Sequence, residues 1–193
     1  MAHQQQQDFC KYVKSIKPEY FTGKNVLDCG ALDVNGNNRY LFENCGYLGI
    51  DVAHGKNVDI ACPTSQFQAR DGMFHTIIST ECFEHDMHWF SSIWNIIRML
   101  KDGGMFLFTC ATVGRNEHGT VRTDVASAPL LENQGQLWAN YYKNLTREDF
   151  EYMINFSAVF PEHEWKYCEE TKDIYFWGIK APGYPVTEIF ARH

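Results

Sequence analysis

The sequence predicts an α/β fold: a doubly wound, mostly parallel sheet of seven strands that ends in an antiparallel hairpin, within a three-layer α/β/α arrangement. Short apolar runs typical of buried strands alternate with helical segments, which is the pattern of a parallel sheet with helices on both faces. The last two strand-like runs are separated only by a short charged turn, and strands linked so closely must pair antiparallel. At 193 residues and 45% hydrophobic composition, the chain is expected to form a single domain, 1–193.

The first elements are predicted from hydrophobic spacing and from the positions of Pro and Gly. Residues 1–20 are predicted as an N-terminal helical region, with a frayed Gln-rich start, a helix over 9–16 and a stop before Pro18. A short helix is predicted over 37–44, with Gly46 as its C-cap. Buried strands are predicted at three places: 25–29, 47–52 and 57–61.

The middle of the chain carries a strand, a helix and a second strand in succession. The β-branched run 74–79 predicts the fourth strand, and 89–100 predicts a helix because its isoleucines share one face. The sequence LKDGG at 100–104 predicts the end of that helix and a turn. The run 105–112 is apolar throughout, which predicts a fifth strand buried on both sides.

The segment 113–145 lacks clear periodicity and is rich in Gly, Asn, His, Thr and Tyr. Such a long stretch inside a compact domain is usually a binding loop, so we expect a lid or substrate loop there. After it, Thr146 and Asp149 have the spacing of a capping box and predict a new helix. The runs 165–168 and 174–179 are the predicted closing hairpin.

Composition and charge narrow the classes of function. The formal net charge is −7 and there is no cluster of Lys or Arg, which disfavours a nucleic-acid partner. We expect no membrane association, because no apolar stretch approaches the length of a membrane span and the start lacks a signal-peptide core. The seven cysteines are scattered without a CxxC pair, which predicts free thiols in a cytoplasmic protein.

The most informative stretch is VLDCGALDVNG, residues 26–36. A short apolar run in it ends at Asp28 and Gly30, and a second apolar run about twenty residues later ends at Asp51. Many α/β sheets hold a nucleoside cofactor with the same succession: a strand, a glycine-bearing turn, a helix and a second strand. The second strand ends in an acid about 20 residues beyond the turn. The turn lets backbone N–H groups approach the ligand, and the acid accepts hydrogen bonds from the ribose hydroxyls.

A further segment, STECFEHD at 79–86, comes after the predicted fourth strand. With the cofactor turn, Asp51 and the closing hairpin, it resembles the class I S-adenosylmethionine-dependent methyltransferases, in particular their small-molecule branch, over 25–180. The resemblance implies S-adenosylmethionine as the cofactor, S-adenosylhomocysteine as the product, and methyl transfer by in-line displacement.

The resemblance also implies which residues hold the cofactor. In that family the first turn cradles the methionine part, an acid after the second strand binds the ribose, and the segment after the fourth strand flanks the transferred methyl group. Carried onto this chain, the cofactor-binding positions are Asp28, Gly30, Ala31, Asp33, Asn35, Asn38, Asp51, Val52, Thr80 and Glu81.

The sequence differs from the family pattern in the first turn. The family usually has three alternating glycines, whereas this chain has only Gly30, with Leu32 and Val34 at the other two positions. Asn and Asp tolerate positive φ and cap helices, so neighbouring residues such as Asn35 and Asn37 could rebuild the turn one step later. Two interpretations are open: the loop takes another path around the same ligand, or cofactor binding is weakened.

The densest group of ionisable residues is Glu81, Glu84, His85, Asp86 and His88. His85 is the best candidate for a general base, because a near-neutral pKa suits that task, and Glu84 beside it is the second catalytic candidate. Asp86 is expected to cap the following helix and His88 to be solvated. His85 and His88 would share a helix face, but metal sites usually draw ligands from several elements, so we predict no metal.

The acceptor is expected to bind under the segment 113–145. The candidates there are Arg115, His118, Tyr141 and Tyr142. The guanidinium of Arg115 has a geometry that suits a carboxylate or a phosphate.

Three hypotheses remain open from the sequence. The first is methyl transfer from S-adenosylmethionine to O or N of a small-molecule or sugar-like acceptor. The second is a methyltransferase-like binding or scaffold protein with weak or no activity, which the missing glycines favour. The third, a nicotinamide-dependent oxidoreductase, is opposed because GALDVNG lacks the GxGxxG spacing that a pyrophosphate needs. The acceptor and the oligomeric state are left open.

Overall fold

The computed structural model describes residues 3–184, apart from the side chain of Met153, and these residues form seven strands and five helices. The strands are β1 (Asn25–Cys29), β2 (Gly46–Asp51), β3 (Ile60–Ala61), β4 (Phe74–Thr80), β5 (Leu100–Ala111), β6 (Glu162–Cys168) and β7 (Asp173–Ile179). The helices are α1 (Gln4–Ile16), α2 (Trp89–Met99), α3 (Gln136–Ala139), α4 (Arg147–Met153) and α5 (Phe156–Val159).

All seven strands join one sheet in the order β3-β2-β1-β4-β5-β7-β6. Strands β1 to β5 pair parallel, whereas β7 pairs antiparallel with both β5 and β6. The predicted mostly parallel sheet with a closing antiparallel hairpin is therefore confirmed. The order reverses between β1 and β4, and in open α/β sheets such a switch point opens a crevice at the carboxyl ends of the strands.

The core lies on both faces of this sheet. On one face, the apolar side of α2 and the phenylalanines of β5, α4 and α5 pack together. On the other face, α1 covers β5 and β7 through Phe9, Cys10 and Val13. Because both faces are covered, the central strands are apolar almost throughout, which explains why they could be recognised in the sequence.

The capping box predicted at Thr146 is present. The backbone N–H of Asp149 donates to Thr146 Oγ1 at 3.2 Å, and the backbone N–H of Thr146 donates to Asp149 Oδ2 at 2.9 Å. The two bonds satisfy backbone donors that a helix leaves free at its start, so α4 begins where the sequence predicts.

The helix predicted over 37–44 is wrong. Only one 3₁₀ turn forms there, Arg39–Leu41, and Gly46 is the first residue of β2. The side chains of the preceding loop explain the difference: Asp33 Oδ1 accepts from Gly36 N at 2.7 Å, and Asn37 Oδ1 accepts from Arg39 N at 2.9 Å. These local bonds offer the backbone an alternative to helical hydrogen bonds.

Other boundaries differ from the prediction as well, and β6 begins at Glu162 rather than at position 165. The Gln-rich start is helical from Gln4, because the buried Gln6 donates to Cys10 Sγ at 3.2 Å. The predicted turn at 100–104 belongs to β5, where Gly103 N donates to Lys180 O at 2.9 Å. The third strand is only two residues long, Ile60–Ala61, and Asn57, where the sequence predicts its start, has a left-handed φ of 71° that is not extended.

The cysteines and the helix lengths bear on two further expectations. All seven cysteines are free thiols, as predicted. Among the described residues, 3–184, none of the helices has the length and apolar character needed to cross a membrane.

Candidate active site

A cavity of about 880 Å³, including solvent at its mouth, lies at the carboxyl ends of β1, β2 and β4. Its walls come from five parts of the chain: the turn after β1, the end of β2, the turn after β3, the segment after β4 and positions 127–138 of the segment 113–145. The place, at the carboxyl ends of the strands beside the switch point, is that of a small-molecule or cofactor site in an α/β fold. The lining residues are Asp28, Gly30, Ala31, Leu32, Val34, Gly36, Asn37, Asn38, Asp51, Val52, Thr64, Thr80, Glu81, Cys82, His85, Asp86, Ser127, Ala128, Leu130, Leu131 and Trp138.

The turn after β1 depends on Gly30. Its φ is +78°, and a Cβ added there would lie 2.6 Å from the Cβ of Cys82 and closer still to Sγ. The backbone N–H groups of Gly30 and Ala31 both donate to Ile50 O at 3.0 Å, which holds the turn against β2. Glycine is thus required both for the backbone conformation and for the close approach of the two loops.

Asp28 is buried at the floor of this turn and accepts a hydrogen bond from Tyr47 Oη at 2.6 Å. Burial raises the pKa of Asp28 to about 7, although the bond from Tyr47 opposes the rise. Nearby, Asn38 Nδ2 donates to Thr80 Oγ1 at 3.3 Å, while Asn38 Oδ1 has no hydrogen-bond partner within residues 3–184. The unused Oδ1 of Asn38 and the carboxylate of Asp28 are both suited to a ligand that donates hydrogen bonds.

Asp51 is the last residue of β2, and two backbone N–H groups donate hydrogen bonds to its carboxylate. Leu32 N donates to Oδ2 at 3.0 Å and Val52 N donates to Oδ1 at 2.7 Å. Burial raises the pKa of Asp51, and these two bonds oppose the rise. Each carboxylate oxygen has a further lone pair, so this acid can still accept from a ligand in the cavity that it lines.

The segment after β4 brings several polar groups to the opposite wall. Glu81 has a left-handed φ of 54° and accepts from Thr109 Oγ1 at 2.9 Å. Burial by itself would raise the pKa of Glu81, but the neighbouring His3 and the Thr109 hydroxyl lower it to about 2. Glu81 is therefore a buried carboxylate that keeps its charge.

The predicted near-neutral pKa of His85 is wrong. The side chain lines the cavity, but burial, with a contribution from His118, lowers its pKa to about 3. Glu84 lies outside the cavity lining and is completely buried. Burial and the charge of Glu81 raise the pKa of Glu84 to about 8. The catalytic roles predicted for these two residues stay predictions.

Asp86 does not serve as the N-cap of α2, which is His88 without a side-chain cap. Instead, Asp86 Oδ1 accepts from His88 N at 2.8 Å and Oδ2 accepts from Ser92 Oγ, while the residue lines the cavity. His88 is exposed, as the sequence predicts, and its ring packs edge-on against Trp138, with 5.2 Å between the ring centroids.

The segment 113–145 contributes the apolar part of the wall through Leu130, Leu131 and Trp138. Trp138 Nε1 donates to His85 O at 2.8 Å, and Gln134 Nε2 donates to Val52 O at 2.9 Å. These bonds fasten the segment to both sides of the cavity. Its predicted role as a lid stays a prediction.

None of the four residues predicted to bind the acceptor lines the cavity: Arg115, His118, Tyr141 and Tyr142. Arg115 Nη1 donates to Thr171 O at 2.6 Å and lies 3.7 Å from Asp173, so its charge already has a partner. The rings of His118 and Tyr142 pack behind His85, with ring centroids 4.9 and 5.5 Å from it. Their predicted contact with an acceptor stays a prediction.

Eight of the ten predicted cofactor residues line the cavity, and Asp33 and Asn35 do not. Asp33 accepts from Gly36 N and pairs with Lys56 at 2.9 Å, so it shapes the loop instead. Sequence reasoning missed Thr64 and Trp138. Thr64 comes after the short third strand and could have been found by its place after a strand, whereas nothing in the sequence marks Trp138.

The fold is similar to those of several solved methyltransferases at low sequence identity. One is the 1,6-didemethyltoxoflavin-N1-methyltransferase of Burkholderia thailandensis, solved with 1,6-didemethyltoxoflavin and S-adenosylhomocysteine (TM-score 0.62, 11% identity, 91% of this chain and 78% of that chain). Another is phosphoethanolamine N-methyltransferase 2 of Haemonchus contortus, solved with S-adenosyl-L-methionine (TM-score 0.62, 15% identity, 90% of this chain). This chain spans 52% of that one, about half its length.

A third similar structure is the YcgJ protein of Bacillus subtilis, with a TM-score of 0.59, 12% identity, and coverage of 94% of this chain and 100% of that chain. No protein-family model matches the sequence, and no curated protein matches it either. The shared strand order and closing hairpin define the fold: this chain has the fold of the class I S-adenosylmethionine-dependent methyltransferases.

Proposed function

We propose that this protein transfers a methyl group from S-adenosylmethionine to O or N of a small-molecule or sugar-like acceptor. The observation that carries the proposal is the cavity at the switch point of the sheet, where Asp28, Gly30, Asp51 and Thr80 meet. Similar folds solved with S-adenosylhomocysteine or S-adenosylmethionine support the choice of cofactor. The catalytic roles of individual residues are part of the proposal.

The hydrogen-bond acceptors of the cavity fit this cofactor. Asp51 would accept from the ribose hydroxyls, because its carboxylate is held by Leu32 N and Val52 N. Asp28 and the unused Oδ1 of Asn38 would accept from the ammonium group of the methionine part. Leu130 would cover an apolar part of the ligand, since it belongs to the segment that lines the cavity.

The missing glycines of the first turn do not exclude cofactor binding. Leu32 and Val34 line the cavity rather than fill it, and the chain after them forms a 3₁₀ turn instead of a full helix. This supports the first of the two interpretations of the turn, in which the loop takes another path around the same ligand.

When bound, S-adenosylmethionine supplies an electrophilic methyl group on a sulfonium. The residues of the chain have to hold an acceptor in line with it and keep water out, which provides most of the acceleration in such a displacement. His85 is neutral at neutral pH because its pKa is about 3, so it would orient an acceptor by hydrogen bonding and serve only as a weak base.

A small acceptor is favoured over a macromolecule by charge and shape. The formal net charge of −7 opposes a phosphate backbone, and residues of 113–145 form one side of the cavity. The protein from Burkholderia thailandensis was solved with a small heterocycle bound, which supports the same class of acceptor. A cytoplasmic location belongs to this proposal and is supported by the seven free thiols.

The second candidate is a binding or scaffold protein with little or no activity, which the incomplete glycine pattern favours. The oxidoreductase hypothesis is opposed by the topology, because β7 lies antiparallel between β5 and β6. In dinucleotide-binding folds, the strands at that edge of the sheet run parallel to the others.

The test is calorimetric titration of the full chain with S-adenosylhomocysteine. We expect micromolar binding by the wild type. Asp51→Ala should weaken it by at least about 100-fold, because two charge-assisted hydrogen bonds of about 1.5–3 kcal/mol each are lost. Transfer of a labelled methyl group from S-adenosylmethionine into metabolite extracts then separates an enzyme from a binding protein.

Asp59→Ala is the matched control, because this carboxylate pairs with Arg39 at 2.9 Å and does not line the cavity. Its thermal unfolding and that of Asp51→Ala are recorded beside the titrations. Absence of binding by the folded wild type, or equal losses in the two variants, would contradict the proposal.

A further inference from the structure

Glu84, His85 and His118 form a cluster behind the cavity. Each offers one ligand atom, and these three atoms all lie within 4.8 Å of one another. Glu84 and His85 come after β4, whereas His118 comes after β5. Donors from two separate elements converge here, which removes the reason for which the sequence predicted no metal.

The ring of His118 is oriented as a ligand. Its Nδ1 is 3.0 Å from the backbone carbonyl of Asn116, which can only accept, so Nδ1 carries the proton and the lone pair is on Nε2. The same carbonyl also accepts from Tyr142 Oη at 3.2 Å. Histidines that bind metals usually donate their other N–H to a carbonyl or carboxylate in this way.

The cluster contains more buried polar atoms than its own hydrogen bonds satisfy. Glu84 is completely buried and neither of its carboxylate oxygens has a hydrogen-bond partner among residues 3–184. Over the same residues, both ring nitrogens of His85, which is 5% exposed, and Nε2 of His118 also have none. Unpaired buried polar groups are costly, so their convergence favours a ligand that can pair with all of them.

Two further buried carboxylates, those of Glu81 and Asp173, interact electrostatically with Glu84, but each of them already has a cationic partner. His3 Nε2 lies 3.6 Å from Glu81 Oε2 and 2.8 Å from Asp173 Oδ2. The carboxylate of Glu84, in contrast, has no ion-pair or hydrogen-bond partner among residues 3–184, so it is the one that is open to a cation.

We propose that Glu84, His85 and His118 bind a divalent transition-metal ion of the zinc class. Two imidazoles and one carboxylate are a donor set that suits Zn²⁺ and its neighbours better than Mg²⁺ or Ca²⁺. Three protein donors leave a tetrahedral ion one position for water or another ligand. His85 binds through one ring nitrogen and keeps the other for the cavity.

Binding requires a small contraction of the cluster. Donor atoms around a tetrahedral Zn²⁺ are about 3.3 Å apart, given bond lengths of about 2.0–2.1 Å, and the three ligand atoms here lie within 4.8 Å of one another. Gly119 packs against the ring of His85, so that a Cβ there would lie 2.6 Å from Cε1. The loop that carries His118 is therefore already held close to His85.

The experiment titrates the chelator-treated full chain with Zn²⁺ alone, without cofactor, so its outcome does not depend on the proposed function. We expect one ion per chain with micromolar or tighter affinity, and a Co²⁺ complex with the visible absorption of a tetrahedral site. His118→Ala and Glu84→Gln should each weaken Zn²⁺ binding by at least about 10-fold. Zn²⁺ should also raise the melting temperature of the wild type and not that of His118→Ala.

His88→Ala is the matched control, because this histidine is three positions from His85 and outside the cluster. It should bind Zn²⁺ as the wild type does. If Glu84→Gln fails to fold, His118→Ala decides, since His118 lies in a loop and is only partly buried. No Zn²⁺ binding by the wild type, or unchanged affinity in folded His118→Ala, overturns the proposal.

Discussion

Replacement of Gly30 by alanine tests whether the turn after β1 is shaped by the close approach of Cys82. Two costs are expected. A φ of +78° is unfavourable for any residue with a Cβ by about 1–2 kcal/mol. The new Cβ would also overlap Cys82, at 2.6 Å from its Cβ, and such overpacking costs about 1–3 kcal/mol. We therefore expect Gly30→Ala to lower the free energy of unfolding by about 2–5 kcal/mol.

The assay is urea denaturation, with calorimetry for the affinity of S-adenosylhomocysteine. Gly23→Ala is the matched control, because Gly23 has a φ of +66° but no atom of residues 3–184 lies within 4 Å of an added Cβ. Gly23→Ala should lower the free energy of unfolding only by the conformational cost, about 1–2 kcal/mol. The difference between the two variants measures the overlap with Cys82.

A double mutant separates the two costs further. In Gly30→Ala with Cys82→Gly, the nearest remaining atom of residue 82 is Cα, 3.8 Å from the added Cβ, which is an ordinary contact. The double mutant should therefore be more stable than the sum of the single changes, by about 1–3 kcal/mol. Additive effects, or a Gly30→Ala protein no less stable than Gly23→Ala, would refute the reasoning.

The site and the fold support three further predictions. The affinity for S-adenosylhomocysteine should fall by up to about tenfold per pH unit below pH 7. The reason is that Asp28, whose pKa is about 7, must be ionised to accept from the ammonium group of the ligand. In calorimetric titrations, Asp28→Asn should abolish this pH dependence. Tyr47→Phe removes the hydrogen bond that opposes the raised pKa of Asp28, so the midpoint of the same titration should move to higher pH. Thr146→Ala should lower the free energy of unfolding by about 1 kcal/mol in urea denaturation, with unchanged ligand affinity, because Asp149 N loses its capping acceptor.

Much of the fold was accessible from the sequence because the relevant signals are local. Strands buried on both faces are apolar almost throughout, and β5 shows this between Met105 and Ala111, where Thr109 is the one polar residue. The capping box at Thr146 needs residues only three positions apart. The acid that ends β2 and the glycine just after β1 are likewise set by their place next to a recognisable strand.

Other elements were not accessible because tertiary or side-chain contacts override local preference. Residues 37–44 contain a helix-like apolar pattern, but the side chains of Asp33 and Asn37 bond to the backbone and leave only a 3₁₀ turn. The Gln-rich start has no apolar stripe of its own, and it is helical because Gln6 is buried and the following Phe9 and Val13 pack in the core.

The sequence by itself determined the alternation of strands and helices, the closing hairpin and the glycine-bearing turn, since periodicity and turn chemistry depend on near neighbours. Only the tertiary structure decided the properties of the site. His85 has a pKa of about 3 because distant segments bury it, and Arg115 is committed to Thr171, 56 positions away. His118 meets Glu84 and His85 because β4 and β5 are paired, which brings the loops after them to one edge of the sheet. Burial and convergence of charges arise from contacts between remote positions, and those contacts exist only once the chain has folded.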